Sequence, residues 1–278
     1  MTTFSFTALV ALSSVGAGLI GSLTGLGGGI ILVPLLTLVF GVNVRYAAGA
    51  SLVSVIATSS GAAASYVRDG FANLRLGMLL EIATTLGAVA GAVLAGRMSA
   101  RTIELVFGGL LLYSAFRAAT TDADSRPSEA ADPIATRLRL DSSLPGPDGP
   151  QRYTVHRVPL GFSLMAVAGV LSGLLGVGSG AVKVLAMDQA MRLPLKVSTT
   201  TSNFMIGVTA AASAGVYLRH GYIDPALAFP VVLGVLTGAL VGARLLPRVR
   251  VSLLRRVFGI AIAALAIEMV LNGLQAAG

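Results

Sequence analysis

Apolar residues occupy most of the chain in long runs, separated by short charged stretches, and the runs fall into two sets. Charge-free or nearly charge-free segments cover Phe4–Phe40, Tyr46–Val67, Leu76–Gly96 and Thr102–Phe116, then Val158–Val182, Val197–Leu218, Pro225–Ala243 and Val257–Leu274. Such runs predict helices that cross a bilayer, whose hydrocarbon takes about 20 apolar residues to span. The first run is too long for one crossing, because its 37 residues would make a helix of about 55 Å against about 30 Å of hydrocarbon. It is interrupted by Gly25, Gly27, Gly28 and Gly29 and then by Pro34, which predicts two short segments folded back at the glycines. Each set therefore reads as a short broken hairpin plus three ordinary spans, about five membrane segments in all.

The two sets are copies of one unit. A shift of 151 positions pairs Gly18, Gly25, Gly27 and Gly29 with Gly169, Gly176, Gly178 and Gly180. In the same frame it pairs Arg45 with Lys196, Ser51 with Ser202, Thr58 with Thr209, and Tyr66, Arg68 and Gly70 with Tyr217, Arg219 and Gly221. Shared lipid-facing composition produces stray Gly or Leu matches, but not Tyr-Val-Arg-Asp-Gly over Tyr-Leu-Arg-His-Gly in register with two glycine motifs. Residues 1–117 thus read as a first membrane repeat and residues 158–278 as a second. Between them, residues 118–157 are rich in charge, Pro, Ser and Asp, with Pro145, Pro147 and Pro150 clustered. That composition predicts a mobile polar linker without a core.

Charge placement orients the spans. With the hairpin, Arg45, Arg97, Arg101 and Arg219 share a face with the N-terminus. The opposite face receives fifteen basic residues, six of them in the linker, and Lys183 is left inside the membrane. A single crossing over Phe4–Phe40 would split the charges ten against nine. Basic residues concentrate on the cytoplasmic side, so the hairpin is favoured, with the linker cytoplasmic and both termini outside the cell membrane. Each repeat then makes an odd number of crossings. The copies enter the bilayer in opposite directions, as in the inverted repeats of secondary transporters. The expected architecture is an all-α polytopic integral membrane protein of two inverted repeats.

Composition narrows the function. Only 12% of residues are charged while 55% are hydrophobic, too little charge to cover a soluble domain. The net charge of +8 is spread over loops between spans, not over a basic, aromatic-interleaved surface, so no nucleic-acid partner is expected. There is no Cys, hence no disulfide or thiolate site. His156 and His220 lie apart from other ligand types, and no P-loop, Ser–His pair or metal cluster is visible. An enzyme, a metal or a cofactor is therefore not expected.

The candidate chemistry centres on Leu23-Thr24-Gly25-Leu26-Gly27-Gly28-Gly29 and its echo Leu174-Leu175-Gly176-Val177-Gly178-Ser179-Gly180. A helix broken in mid-membrane bares backbone N–H groups, and a short helix starting beyond the break points those amides and its positive dipole end at one spot. Thr24, Gly27, Gly28, Gly29, Gly178, Ser179 and Gly180 are the candidate anion-binding residues, the alternative being glycines that merely permit close packing. Lys183 falls where the first repeat has Leu32. A lysine at that depth is costly unless it is paired or faces water, so it reads either as a cation for an anionic substrate or as a salt-bridge partner of an acid such as Asp188. Ser202 and Asn203, in the hydroxyl-rich run after Lys196, could donate to the oxygens of an anion or simply hold helices together. Glu81, Asp188 and Glu268 are acids within apolar runs, and Glu81 is the candidate for coupling protons.

From Gly18-Leu19-Ile20-Gly21-Ser22-Leu23-Thr24-Gly25-Leu26-Gly27-Gly28-Gly29 through Val33-Pro34, with the second Gly-x-Gly-x-Gly and the duplication, the chain resembles the sulfite exporter TauE/SafE family of membrane transporters. The resemblance covers nearly everything except the linker. Ser179 stands where a glycine is usual, and Leu185 stands where Pro34 predicts a proline. The resemblance implies transport of a sulfur-containing anion such as sulfite or an organosulfonate, without ATP. The combined expectation is a secondary transporter of a small anion working by alternating access at the paired helix breaks, with a passive anion channel as the alternative.

Overall fold

Glycine decides where the long apolar runs stop. The computed structural model describes residues 3–24, 28–99, 132–146, 149–176 and 178–245, with isolated positions within 101–112 and 248–267. Helix α1 (Thr3–Thr24) ends as the glycine run begins. Beyond it α2 (Gly29–Pro34) starts afresh and widens into π-type turns over Leu35–Val39. Two long helices follow, α3 (Val44–Arg68) and α4 (Leu74–Ala95). A short α5 (Pro133–Arg137) and an antiparallel hairpin of β1 (Ser142–Gly146) and β2 (Gly149–Tyr153) lead into the second set. There α6 (Val158–Leu175) stops at Gly176, and α7 (Gly180–Leu185) widens into π-type turns over Ala186–Ala190. Helices α8 (Leu195–Arg219) and α9 (Pro225–Leu245) complete it. The spans expected over Thr102–Phe116 and Val257–Leu274, Glu268 included, lie largely outside the described residues.

Five of the described helices are long and apolar enough to cross a bilayer: α1 over Ser5–Leu23, then α3, α4, α6 and α9. Apart from the hairpin, the protein is an all-α, multi-pass membrane protein. Met78, Ile82, Leu86, Val89 and Val93 stand exposed on α4 at helical spacing, a single apolar stripe suited to lipid. Helix α8 differs, since Ser198 through Asn203 are all buried. Its hydroxyls face protein.

Packing follows a swapped scheme, with α1 lying along α9, α6 along α4, and α3 against α8. Lipid offers no hydrophobic drive for helices to associate, so small residues and close backbones do the joining. A Cβ on Gly87 would run into the Ala166 carbonyl, and one on Gly238 into the Val15 carbonyl. Likewise Gly18 meets the backbone of Val235 and Gly169 that of Thr84. Each pair of contacts is related by the 151-residue shift found in the sequence.

Residues 132–157, expected to carry no core, do fold onto the helix ends. Ala135, Leu140 and Val155 are buried in one cluster with Leu76, Leu80 and Met191. Three polar residues make this possible. Asp132 accepts from Ile134 N and Val158 N, both at 2.8 Å, and so caps α5 and α6 together. Asn73 caps α4 while its Nδ2 donates to Leu140 O (2.8 Å) and Tyr153 Oη (3.1 Å). Asp141 takes Val155 N at 2.8 Å.

Candidate functional site

The short helices beyond the two breaks begin alike. Gly28 precedes α2 in the left-handed region (φ 76°), and Ser179 precedes α7 in the same region (φ 49°). Glycine is free there, whereas serine pays steric strain at its Cβ. Gly176 (φ 67°) and Gly178 (φ 73°) are left-handed as well. A side chain at Gly178 would also strike Ile206 and Val55. Leu185 needs no proline to follow Pro34, for both residues are helical and pass directly into the π-type turns. Gly27 and the side chain of Thr24 lie outside the described residues.

A helix that stops inside the bilayer leaves carbonyls as well as amides to satisfy. Tyr66 Oη on α3 donates to Ser22 O near the end of α1 (3.1 Å). Tyr217 Oη on α8, its counterpart in the repeat, donates to Leu174 O near the end of α6 (3.2 Å). Asn203 Nδ2 adds a second bond to Ser22 O (2.9 Å). Tyr217→Phe should therefore cost about 1–3 kcal/mol of stability by stranding a buried acceptor, and Tyr66→Phe less, because Asn203 still serves Ser22 O. Thermal melts of the two variants in detergent test the ranking.

Of the predicted residues, Ser202 and Asn203 sit beside the breaks. Ser202 Oγ reaches Gly180 O at 3.5 Å, so adjacent residues of α8 touch the first turn of α7 and the last turn of α1. Both breaks thus lie against one turn of α8. Ser59 on α3 donates to Asn203 O (2.5 Å) and fixes the crossing of the two long helices. Ser179 Oγ and Asn203 Oδ1 are enclosed and, among the described residues, have no hydrogen-bond partner.

Lys183 has no exposed surface. Its Nζ donates to Thr209 Oγ1 (2.5 Å) and lies 3.6 Å from Glu81 Oε2. Thr209 Oγ1 is 2.6 Å from Glu81 Oε1, which also receives Thr85 Oγ1 at 2.9 Å. Glu81 Oε2 is buried and has no hydrogen bond among the described residues. Lys183 thus pairs with Glu81 on α4, while Asp188, on the turns just after α7, is buried with an interaction of its own. Thr209 and Thr85 escaped sequence reasoning, since hydroxyls are common in membrane helices and nothing local marks these two. Among the described residues no group of His, Asp and Glu could hold a metal.

The model of the family described as Sulfite exporter TauE/SafE matches residues 10–269, and the chain belongs to that family of membrane transporters. Over 97% of its length it is 26% identical to "Probable membrane transporter protein YunE" of Bacillus subtilis (strain 168), covering 99% of that relative. A "Probable membrane transporter protein" of Xylella fastidiosa (strain 9a5c) is 29% identical over 91% of this chain and 92% of its own. No solved structure matches significantly.

Proposed function

We propose that the protein is a secondary carrier of a small anion, foremost sulfite or an organosulfonate, and that it works by alternating access of two oppositely inserted copies. The observation that carries this reading is Lys183, a fully enclosed ammonium in a multi-pass transporter. It sits three residues into a helix that starts at a glycine break. A buried cation among apolar spans is expensive and marks a substrate or ion path.

The left-handed turns at Gly28 and Ser179 leave the first amides of α2 and α7 without intrahelical partners. The end of α1 and the start of α7 lie against the turn of α8 that supplies Ser202 and Asn203. These groups together suit the oxygens of a sulfite or sulfonate, and Lys183 supplies the charge. The swapped packing of α1 on α9 and α6 on α4 supports copies that rock against each other about α3 and α8. In this reading residues 118–157 are cytoplasmic, both termini are outside the cell membrane, and Glu81 couples protons.

The test is uptake by purified protein in liposomes, with sulfite, methanesulfonate and taurine as trial anions. Saturable uptake and counterflow are expected for at least one of them. Lys183→Ala should reduce uptake about tenfold to a hundredfold, as expected for losing a charged hydrogen bond to the substrate. Undiminished uptake by that variant would remove Lys183 from the site.

A further inference from the structure

Lys183, Thr209 and Glu81 form a closed set that exists only once in a duplicated chain. The repeat pairs Thr209 with Thr58, but Lys183 with Leu32 and Glu81 with Val232. Thr58 accordingly turns back on its own helix and donates to Ser54 O at 2.9 Å. The scaffold offers two equivalent positions, and one of them holds a cation with its counter-ion. A buried ion pair gains little stability over apolar residues of the same size, so packing alone does not account for it.

We infer that Glu81 and the transported anion alternate as the counter-ion of Lys183, so that each anion travels with one proton. The inference rests on the anion-carrier reading above. In the described state Glu81 is the counter-ion, and its Oε2 has Lys183 at 3.6 Å and, among the described residues, no hydrogen bond. A proton from water adds to that oxygen and makes the carboxyl neutral. Lys183 keeps its three protons and its charge, and the anion takes the vacated place. The pocket is neutral before the exchange and neutral after it with a monovalent anion, so no uncompensated charge is buried at either stage. Thr209 is the pivot. Its hydroxyl accepts from Lys183 and can donate to Glu81, and so holds the ammonium in place when the carboxylate lets go.

Among the described residues no other ionisable group in the neighbourhood duplicates this role. Helix α6 has none along Val158–Leu175, and on α4 only Arg75, at its start, accompanies Glu81. Those of α8 (Lys196, Tyr217 and Arg219) and those of α3 (Arg45, Tyr46, Tyr66 and Arg68) lie toward the helix ends. Asp188, five residues beyond Lys183, has a partner of its own.

The experiment measures protons taken up when anion is added to purified, full-length protein in weakly buffered detergent. Methanesulfonate is the first probe, because it has no proton of its own to exchange, and sulfite is the second. Wild type should take up about one proton per bound anion, and its Kd should rise with pH, by about tenfold per pH unit at the limit of one proton per anion. Glu81→Gln should bind with no proton uptake and no such slope, and subtracting its signal removes any protons exchanged by sulfite itself. In wild type alone, infrared spectra should gain the carbonyl band of a protonated carboxylic acid on anion binding, so the inference stands or falls even if the variant does not fold. Binding without proton uptake in wild type, or equal uptake in Glu81→Gln, overturns the alternation while leaving an anion carrier. If neither anion binds nor is transported, the carrier reading itself falls.

Discussion

Glu81→Leu will be the most destabilising single polar substitution in the membrane region, and adding Lys183→Met will recover most of the loss without restoring transport. The single change leaves Lys183 with no exposed surface and without its carboxylate. Breaking a buried pair from one side typically costs about 3–5 kcal/mol, whereas replacing both partners by apolar residues of similar size is often neutral or better. Leucine and methionine fit the volumes vacated, and Thr209 can return its hydroxyl to Met205 O, which already lies 3.2 Å away. Thermal melts in detergent of wild type, both single variants and the double variant give the coupling directly. If the double variant melts no higher than Glu81→Leu, the pair is not the isolated unit described here. If the double variant still carries anion at the wild-type rate, the pair serves structure and not transport.

The same residues show what a sequence can reveal. Helix ends before Gly28 and Ser179 were legible because an apolar run too long for one crossing must be interrupted, and because glycine recurs there at one offset in both copies. The two short segments expected were not found, since α1 and α6 are each long enough to cross a bilayer. The membrane class followed from the long apolar runs together with the scarcity of charge. Lys183 was legible as an anomaly, but its partner was not. Three acids lay within apolar runs, and choosing Glu81 depends on how side chains of α4 and α7 meet beside Thr209 of α8, a tertiary fact that no local pattern encodes. Thr209 was hidden for the same reason. The fold of residues 132–157 was obscured differently. Proline and charge argue against a core, yet Asp132 and Asn73 supply enough capping and bridging bonds to hold three apolar residues against α4 and α6.

Gly87→Leu and Gly238→Leu should damage the protein to the same degree, each by about 3 kcal/mol or more, while Gly16→Leu should be nearly silent. Overpacking is least forgiving where the obstacle is backbone, since a flexible side chain can yield and a helix carbonyl cannot. At Gly87 the obstacle is the carbonyl of Ala166, at Gly238 it is that of Val15, and around Gly16 nothing lies within 4 Å. The two damaged contacts are one contact made twice, α4 on α6 and α9 on α1, so a leucine at either site pries apart a first-repeat helix from a second-repeat helix. Yield of monodisperse protein and melting temperature in detergent are the measurements. Equal losses at Gly87 and Gly238 would mean that the seams between the repeats carry equal weight in stability, as two copies swapped across a shared interface require. A loss at one position only would mean that one seam holds the molecule together, and that the repeat in the sequence no longer has an energetic counterpart in the fold.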